Sequence, residues 1–259
     1  MAASEYDAFA DLYAIWTDTA ASTRANLAFY LDAYANADGP VVELGVGDGR
    51  IAVPAAAAGR DITGVDLSPA MLGRCRDRAE RAGVLDRLTL IQADFRAFAL
   101  STPAALITLP YHSLGHLLTL SDKRDALRHV RSQLRPGGRF IFDDFFMTPA
   151  LIAHMRGVQL RAEYRAADGT DRLLWVTSLV DEATQTIRVV TWEDTLDAAG
   201  VLTDRRYRRL SLSWLTPTQA RELLSEAGFV VDAFDGDFTG TPFGPESASE
   251  QVWVAHRPQ

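Results

Sequence analysis

The sequence runs to 259 residues, 47% hydrophobic and 23% charged, a balance that lets a globular chain bury a core without covalent staples. A formal net charge of −8, from 26 basic and 34 acidic residues, argues against a general nucleic-acid binder. The lone cysteine, Cys75, excludes an internal disulfide and fits a reducing, cytoplasmic compartment.

The opening MAASEYDAF carries acids and no apolar stretch, so it does not read as a secretory signal. Residues 5–34 read as helical, with Tyr6, Phe9, Tyr13 and Trp16 three or four apart on one face. Pro40 to Leu44 is an apolar strand ending in glycines, followed by a helix over Ile51 to Ala58. Ile62 to Val65 is the second strand. Ser68 then stands as N-cap and Pro69 as the first residue of a helix. Leu88 to Ile91 and Ala105 to Leu109 are the third and fourth strands. The stretch from Ala97 to Ser121 lacks charge, but Pro103, Pro110, His112 and His116 interrupt it, and a membrane span is rejected. Ser121 to Leu134 is a helix stopped by Arg135-Pro136-Gly137-Gly138, and Arg139 to Asp143 is the fifth strand.

The pattern then changes. Val158–Ala166, Leu173–Val180, Thr186–Leu196 and Arg206–Trp214 are β-rich runs with no helix between them, the signature of an antiparallel meander. Within it, Arg205-Arg206-Tyr207-Arg208-Arg209 reads as the solvated face of a strand. After Thr216-Pro217 a helix runs to Ala227-Gly228, and Phe229–Phe234 and Gln251–His256 close the chain as strands. Strands alternating with helices imply parallel βαβ units. The chain is therefore expected to be one α/β domain over 1–259. Its parts are a helical segment (1–38), a core (39–150), an antiparallel insertion (156–215) and a return to the core (216–259).

Chemistry concentrates at the ends of the strands. Val41-Val42-Glu43-Leu44-Gly45-Val46-Gly47-Asp48-Gly49-Arg50 places three glycines at the first strand-to-helix turn, where the backbone turns tightly and a ligand can approach without meeting a Cβ. A nicotinamide oxidoreductase would carry G-x-G-x-x-G there, but the sixth position is Arg50, which would obstruct close helix–strand packing. Asp66, at the end of the second strand, has the separation expected of a carboxylate that grips ribose hydroxyls.

These residues, together with Gln92-Ala93-Asp94-Phe95 and Leu134-Arg135-Pro136-Gly137-Gly138, resemble the class I S-adenosylmethionine-dependent methyltransferases over roughly residues 40 to 145 and the final helix and strands. The resemblance implies a Rossmann-like seven-stranded sheet of order 3-2-1-4-5-7-6, strand seven antiparallel, with the meander inserted after strand five. It implies S-adenosyl-L-methionine as cofactor. Gly45 and Gly47 would pass under its methionine part, and Glu43 would orient that loop or meet the amino group. Asp66 would take the ribose, Met71 and Phe95 would flank the adenine, and Asp94 would accept from its amine. Core packing is the alternative for Met71 and Phe95. Leu109 closes the fourth strand beside the cofactor.

The segment Tyr6-Asp7-Ala8-Phe9-Ala10-Asp11-Leu12-Tyr13 is similar to the opening of small-molecule N-methyltransferases that act on amino sugars, glycine and azapteridines. There a helix closes over the cofactor, which implies a lid with Tyr13 reaching the site. After the fourth strand, Leu109-Pro110-Tyr111 departs from the Asn/Asp-Pro-Pro-Tyr motif of nucleic-acid and protein-glutamine methyltransferases. Tyr111, His112 and His116 are the candidate catalytic residues, the histidines as bases or as structural imidazoles. Asp143 and Asp144 border the acceptor side or cap a strand. No cluster with metal-ligand spacing is visible. The expectation is metal-free methyl transfer to a small molecule, first to a nitrogen, alternatively to a hydroxyl oxygen, with a homodimer through the insertion possible.

Overall fold

A computed structural model describes residues 7, 10–18, 22–166 and 168–259. In chain order the elements are α1 (Ala10–Asp18), α2 (Ser22–Ala35), β1 (Val41–Leu44), α3 (Ala52–Ala57), β2 (Ile62–Asp66), α4 (Pro69–Arg81), β3 (Leu88–Gln92) and β4 (Ala104–Leu109). They continue as α5 (Leu120–Gln133), β5 (Leu134–Phe145), α6 (Pro149–Arg156), β6 (Gln159–Arg165), β7 (Asp171–Asp181), β8 (Thr186–Leu196), β9 (Leu202–Ser213), α7 (Pro217–Glu226), β10 (Val230–Asp235) and β11 (Glu250–His256).

The main sheet has seven strands in the order β10-β11-β5-β4-β1-β2-β3. All pairs from β5 to β3 are parallel, whereas β11 runs antiparallel to both β5 and β10. This is the expected 3-2-1-4-5-7-6 order, read from the other edge. Both faces of the sheet are covered, so successive residues of one strand enter different cores. Val42, Phe140 and Phe142 pack with Leu127 and Leu223 of α5 and α7. Val41 and Ile141 pack on the opposite side with Tyr30, Tyr34 and Cys75 of α2 and α4. Side-chain caps begin the helices where the sequence offers them. Ser68 accepts from Met71 N, and Thr216 forms a capping box with Gln219.

The four remaining strands form a separate antiparallel sheet, β6-β7-β8-β9, between α6 and α7. Its inner face carries Val176, Val180, Ile187, Val189, Leu210 and Leu212, which pack against Ile152 of α6 and against Trp16 and Phe145. Of the run Arg205–Arg209 on β9, Arg208 is half-buried and the other four are exposed, so the run is solvated on both faces of the strand rather than on one. No helix among the described residues is long and apolar enough to cross a membrane.

Several elements differ from the sequence reading, among them β9, which begins at Leu202 rather than Arg206. The helical stretch read over 5–34 is two helices, α1 and α2; Tyr6 and Phe9 lie outside the described residues. Strand five begins at Leu134, not Arg139, because Gly137 N donates to Arg257 O and Arg257 N donates to Gly138 O, drawing the glycine pair into the sheet. The sequence reading also left α6 out, although Thr148 caps it and Pro149 opens it. Eight residues give too little periodicity to register.

Candidate active site

A cleft of about 630 Å³ opens at the carboxyl ends of β1, β2 and β4, the place where an open parallel sheet receives ligands. Its floor is the first crossover. Gly45 and Gly47 adopt φ +64° and +57°, conformations that a side chain disfavours. A Cβ on Gly45 would come within 3.1 Å of Ser113 Oγ, and one on Gly47 within 3.7 Å of the Tyr13 ring. Gly49 does a different job. At φ +79°, its absent Cβ would lie 2.7 Å from Cys75 Sγ and 2.8 Å from Val53 Cγ2, so it is the close-packing glycine. Arg50 then points away, donating to Asn26 Oδ1 at 2.6 Å with its guanidinium 5.4 Å from the Tyr111 ring centre. Burial pushes the Cys75 thiol up to about 12, so it is packing rather than a nucleophile.

Of the twelve residues singled out from the sequence, Tyr13, Gly45, Gly47, Asp66, Asp94, Phe95 and His116 line this one cleft. Asp66 accepts from Gly47 N at 2.8 Å through Oδ2 and from Ser68 N at 2.9 Å through Oδ1, and burial raises it above the usual carboxylate range. Asp94 is clamped by Arg96, whose Nη2 donates at 2.6 Å, and that guanidinium lowers its carboxyl. Phe95 packs its remaining surface on the core.

The other five stand behind the walls. Met71 and Leu109 are buried and lie outside the lining. Glu43 is buried below the glycine turn, where Tyr34 O–H donates to it at 3.0 Å and burial pushes it up to about 8. The Tyr34 hydroxyl also meets Thr108 Oγ1 at 2.6 Å, tying α2, β1 and β4 together. Tyr111 and His112 begin the turn after β4. The His112 ring stacks on Phe145 with centroids 3.8 Å apart and pairs with Glu250 at 2.8 Å. Although burial opposes its charge, Glu250, Asp143 and Asp144 together push His112 up to about 9.

His116 behaves in the opposite way. Burial, with the Lys123 ammonium as the second cause, brings it down to about 3. Lys123 itself is buried and donates to Leu114 O at 2.7 Å, inside the short 3-10 turn Ser113–His116. The sequence reading passed over Ser68 and Ser113 as lining residues. Ser113 sits in the stretch that carries both histidines, but its Oγ donates to Pro110 O, a contact that spacing does not reveal. At the rim, Ser68 Oγ donates to Asp7, so two residues of the N-terminal segment, Asp7 and Tyr13, reach the cleft. Among the described residues no group of three or more His, Cys, Asp or Glu is placed to hold a metal ion.

Comparison with known proteins gives the cleft its context. A family described as a methyltransferase domain matches residues 41–138, the span from β1 into β5. The cypemycin N-terminal methyltransferase of Streptomyces sp is 26% identical over 227 residues, which cover 87% of each chain. The 27-O-demethylrifamycin SV methyltransferase of Amycolatopsis mediterranei (strain S699) is 30% identical over 161 residues, 56% of this chain and 58% of that enzyme. That match takes in little more than half of the relative's length. Among solved structures, the CcbJ methyltransferase from Streptomyces caelestis superposes with a TM-score of 0.73 at 24% identity, covering 91% of this chain and 90% of its own. The likeness extends through the insertion, so the fold is shared along nearly the whole chain.

Proposed function

We propose that the chain is a class I S-adenosylmethionine-dependent methyltransferase and that it methylates a nitrogen of a small natural product. S-adenosyl-L-methionine is its cofactor, and the cleft fits that group: two left-handed glycines present bare backbone beside an acid at the end of β2. Gly45 and Gly47 would hold the methionine part, and Asp66 the ribose hydroxyls. Asp94 and Phe95 would meet the adenine, with Met71 and Leu109 supporting from behind. Glu43, covered by Tyr34, orients the glycine turn rather than touching the ligand. Tyr13 and Asp7 support a lid role for the N-terminal segment.

When bound, the cofactor supplies a methyl group already activated by its sulfonium. The chain's task is to exclude water and to hold an acceptor lone pair in line. The observation that carries nitrogen over oxygen is the condition of the two histidines. His112 is tied to Glu250 outside the cleft, and His116, at about 3, has too little proton affinity to serve as a base near neutrality. An amine attacks through its lone pair without prior deprotonation, whereas a phenol gains from a base. The cypemycin relative supports nitrogen by name; the rifamycin relative supports a hydroxyl acceptor as the second reading.

The reading is tested by incubating the protein with radiolabelled S-adenosylmethionine and a panel of small amines and phenols, with and without exhaustive chelation. Label should enter amines, chelation should leave it unchanged, and His116→Gln should cost less than about tenfold, mostly as raised KM. Transfer to phenols alone, with roughly a hundredfold loss of turnover in His116→Gln, would overturn it. We place the enzyme in the cytoplasm. A second copy is proposed to pack on the outer face of the insertion, where Leu179 and Tyr207 are 61% and 59% exposed.

A further inference from the structure

The turn after β4 carries a strain that one buried carboxylate offsets. Tyr111 and His112 have consecutive φ values of +61° and +56°, a left-handed pair with no glycine in it. Both amides donate to Asp143, Tyr111 N to Oδ1 and His112 N to Oδ2, each at 2.9 Å. Asp143 is 0% exposed near the end of β5. It also accepts from Tyr30 O–H at 2.6 Å and Asn26 Nδ2 at 3.3 Å, both from α2. Asn26 in turn accepts from Arg50, whose guanidinium lies over the Tyr111 ring.

We infer that Asp143 is a positioning residue for methyl transfer: its carboxylate ties helix α2 to the strained Tyr111–His112 turn and so sets where Ser113 and His116 enter the cleft. The assignment rests on the proposed methyltransferase reading only for its consequence, not for its geometry. The carboxylate is sealed from solvent and lies outside the cleft lining, so it acts through the turn. Ser113 Oγ donates to Pro110 O and lines the cleft one residue past the strained pair, so a relaxed turn moves the wall itself. The first crossover and Asp66 come from β1 and β2 and stay in place.

A double-mutant cycle read by thermal melting tests this on the full chain. Asp143→Asn puts an amide where two N–H groups donate and should lower Tm by about 5–10 °C. In a Tyr111→Gly background, where glycine adopts the left-handed conformation without strain and the charge pairing of His112 is kept, the same change should cost clearly more, because no strain is then released when the turn lets go. Should Asp143→Asn fail to fold, Tyr30→Phe, which removes one donor and no backbone bond, replaces it in the same cycle. Calorimetry with S-adenosylhomocysteine should show less than a threefold loss for Asp143→Asn. Transfer to whichever panel compound accepts label should fall tenfold or more. Equal Tm losses in both backgrounds, or unchanged transfer despite the Tm loss, would overturn the assignment. Neither result depends on the acceptor being a nitrogen. Failure of S-adenosylhomocysteine to bind the wild-type chain would instead break the function reading.

Discussion

Asp66 at the end of β2 and Asp143 near the end of β5 use one chemical device for two purposes. Each accepts backbone N–H groups from a neighbouring turn. Asp66 gives one oxygen to each of two amides and faces the cleft. Asp143 takes two amides, a phenol and a side-chain amide, and is sealed. A carboxylate offers about four acceptor positions, so Asp66 keeps capacity on its open side, whereas Asp143, with three donors on Oδ1 and one on Oδ2, is closed off from solvent. The first crossover therefore keeps acceptor capacity toward the cleft, and the turn after β4 is held in shape. What separates them is where the donors come from, not the kind of residue.

The largest effect expected concerns the one glycine of the first crossover that holds shape rather than receiving a ligand. Gly49→Ala places a Cβ 2.7 Å from Cys75 Sγ at φ +79°. Left-handed backbone costs about 1–2 kcal/mol and overpacking about 1–3 kcal/mol. Together they should lower Tm by roughly 10 °C. An unchanged melting curve would mean that α4 is not held against the turn as the structure has it.

Next in size is the contrast between the two acids. Asp66→Ala should weaken S-adenosylhomocysteine binding tenfold or more, since charge-assisted hydrogen bonds are worth roughly 1.5–3 kcal/mol each. In the same calorimeter Asp143→Asn should lose less than threefold, and NADH should bind the wild type far more weakly than either sulfur nucleoside. If the two acids cost the same, the division between receiving and holding collapses.

How much of this was legible follows from what sequence patterns carry. The parallel sheet was, because apolar runs between helices repeat at a length that only βαβ units explain. The convergence of the glycine turn, Asp66 and Asp94-Phe95 on one cleft was, because residues that follow successive parallel strands meet at the carboxyl end of the sheet. Arg50 excluded a third packing glycine one position too late. Gly49 fills that role, and the arginine turns to Asn26 and Tyr111. The roles of Tyr30, Tyr34 and Asn26 were not legible. Asn26 and Tyr30 lie more than 110 residues from Asp143, and nothing in their local pattern separates a core aromatic from a hydrogen-bond donor. The histidines were legible as residues but not as environments. Spacing put His112 and His116 side by side, while burial and Lys123 drove one down and Glu250 drew the other up.

The smallest effect tests the turn from its other end. His112 is raised to about 9 against an ordinary value of 6.5, with Glu250 the main cause of the rise. The folded chain therefore holds this proton more tightly than the unfolded chain does. The stability it contributes is complete below pH 6.5 and is lost as pH rises through 9. Glu250→Gln removes the larger part of that contribution, leaving the share of Asp143 and Asp144, so the Tm gap between wild type and variant should be widest near pH 6 and close toward pH 9.5. Other buried groups titrate across this range, including Glu43 and Lys123, each at about 8, but they are common to both proteins and cancel in the difference. Both side chains keep some solvent contact, 12% for His112 and 13% for Glu250. Screening should hold the widest gap to a few degrees. Because the pair lies outside the cleft, S-adenosylhomocysteine affinity should change by less than about twofold. A gap that stays constant from pH 6 to 9.5 would mean that His112 is neutral in the folded chain. The Tyr111–His112 turn would then be held by Asp143 without help from β11.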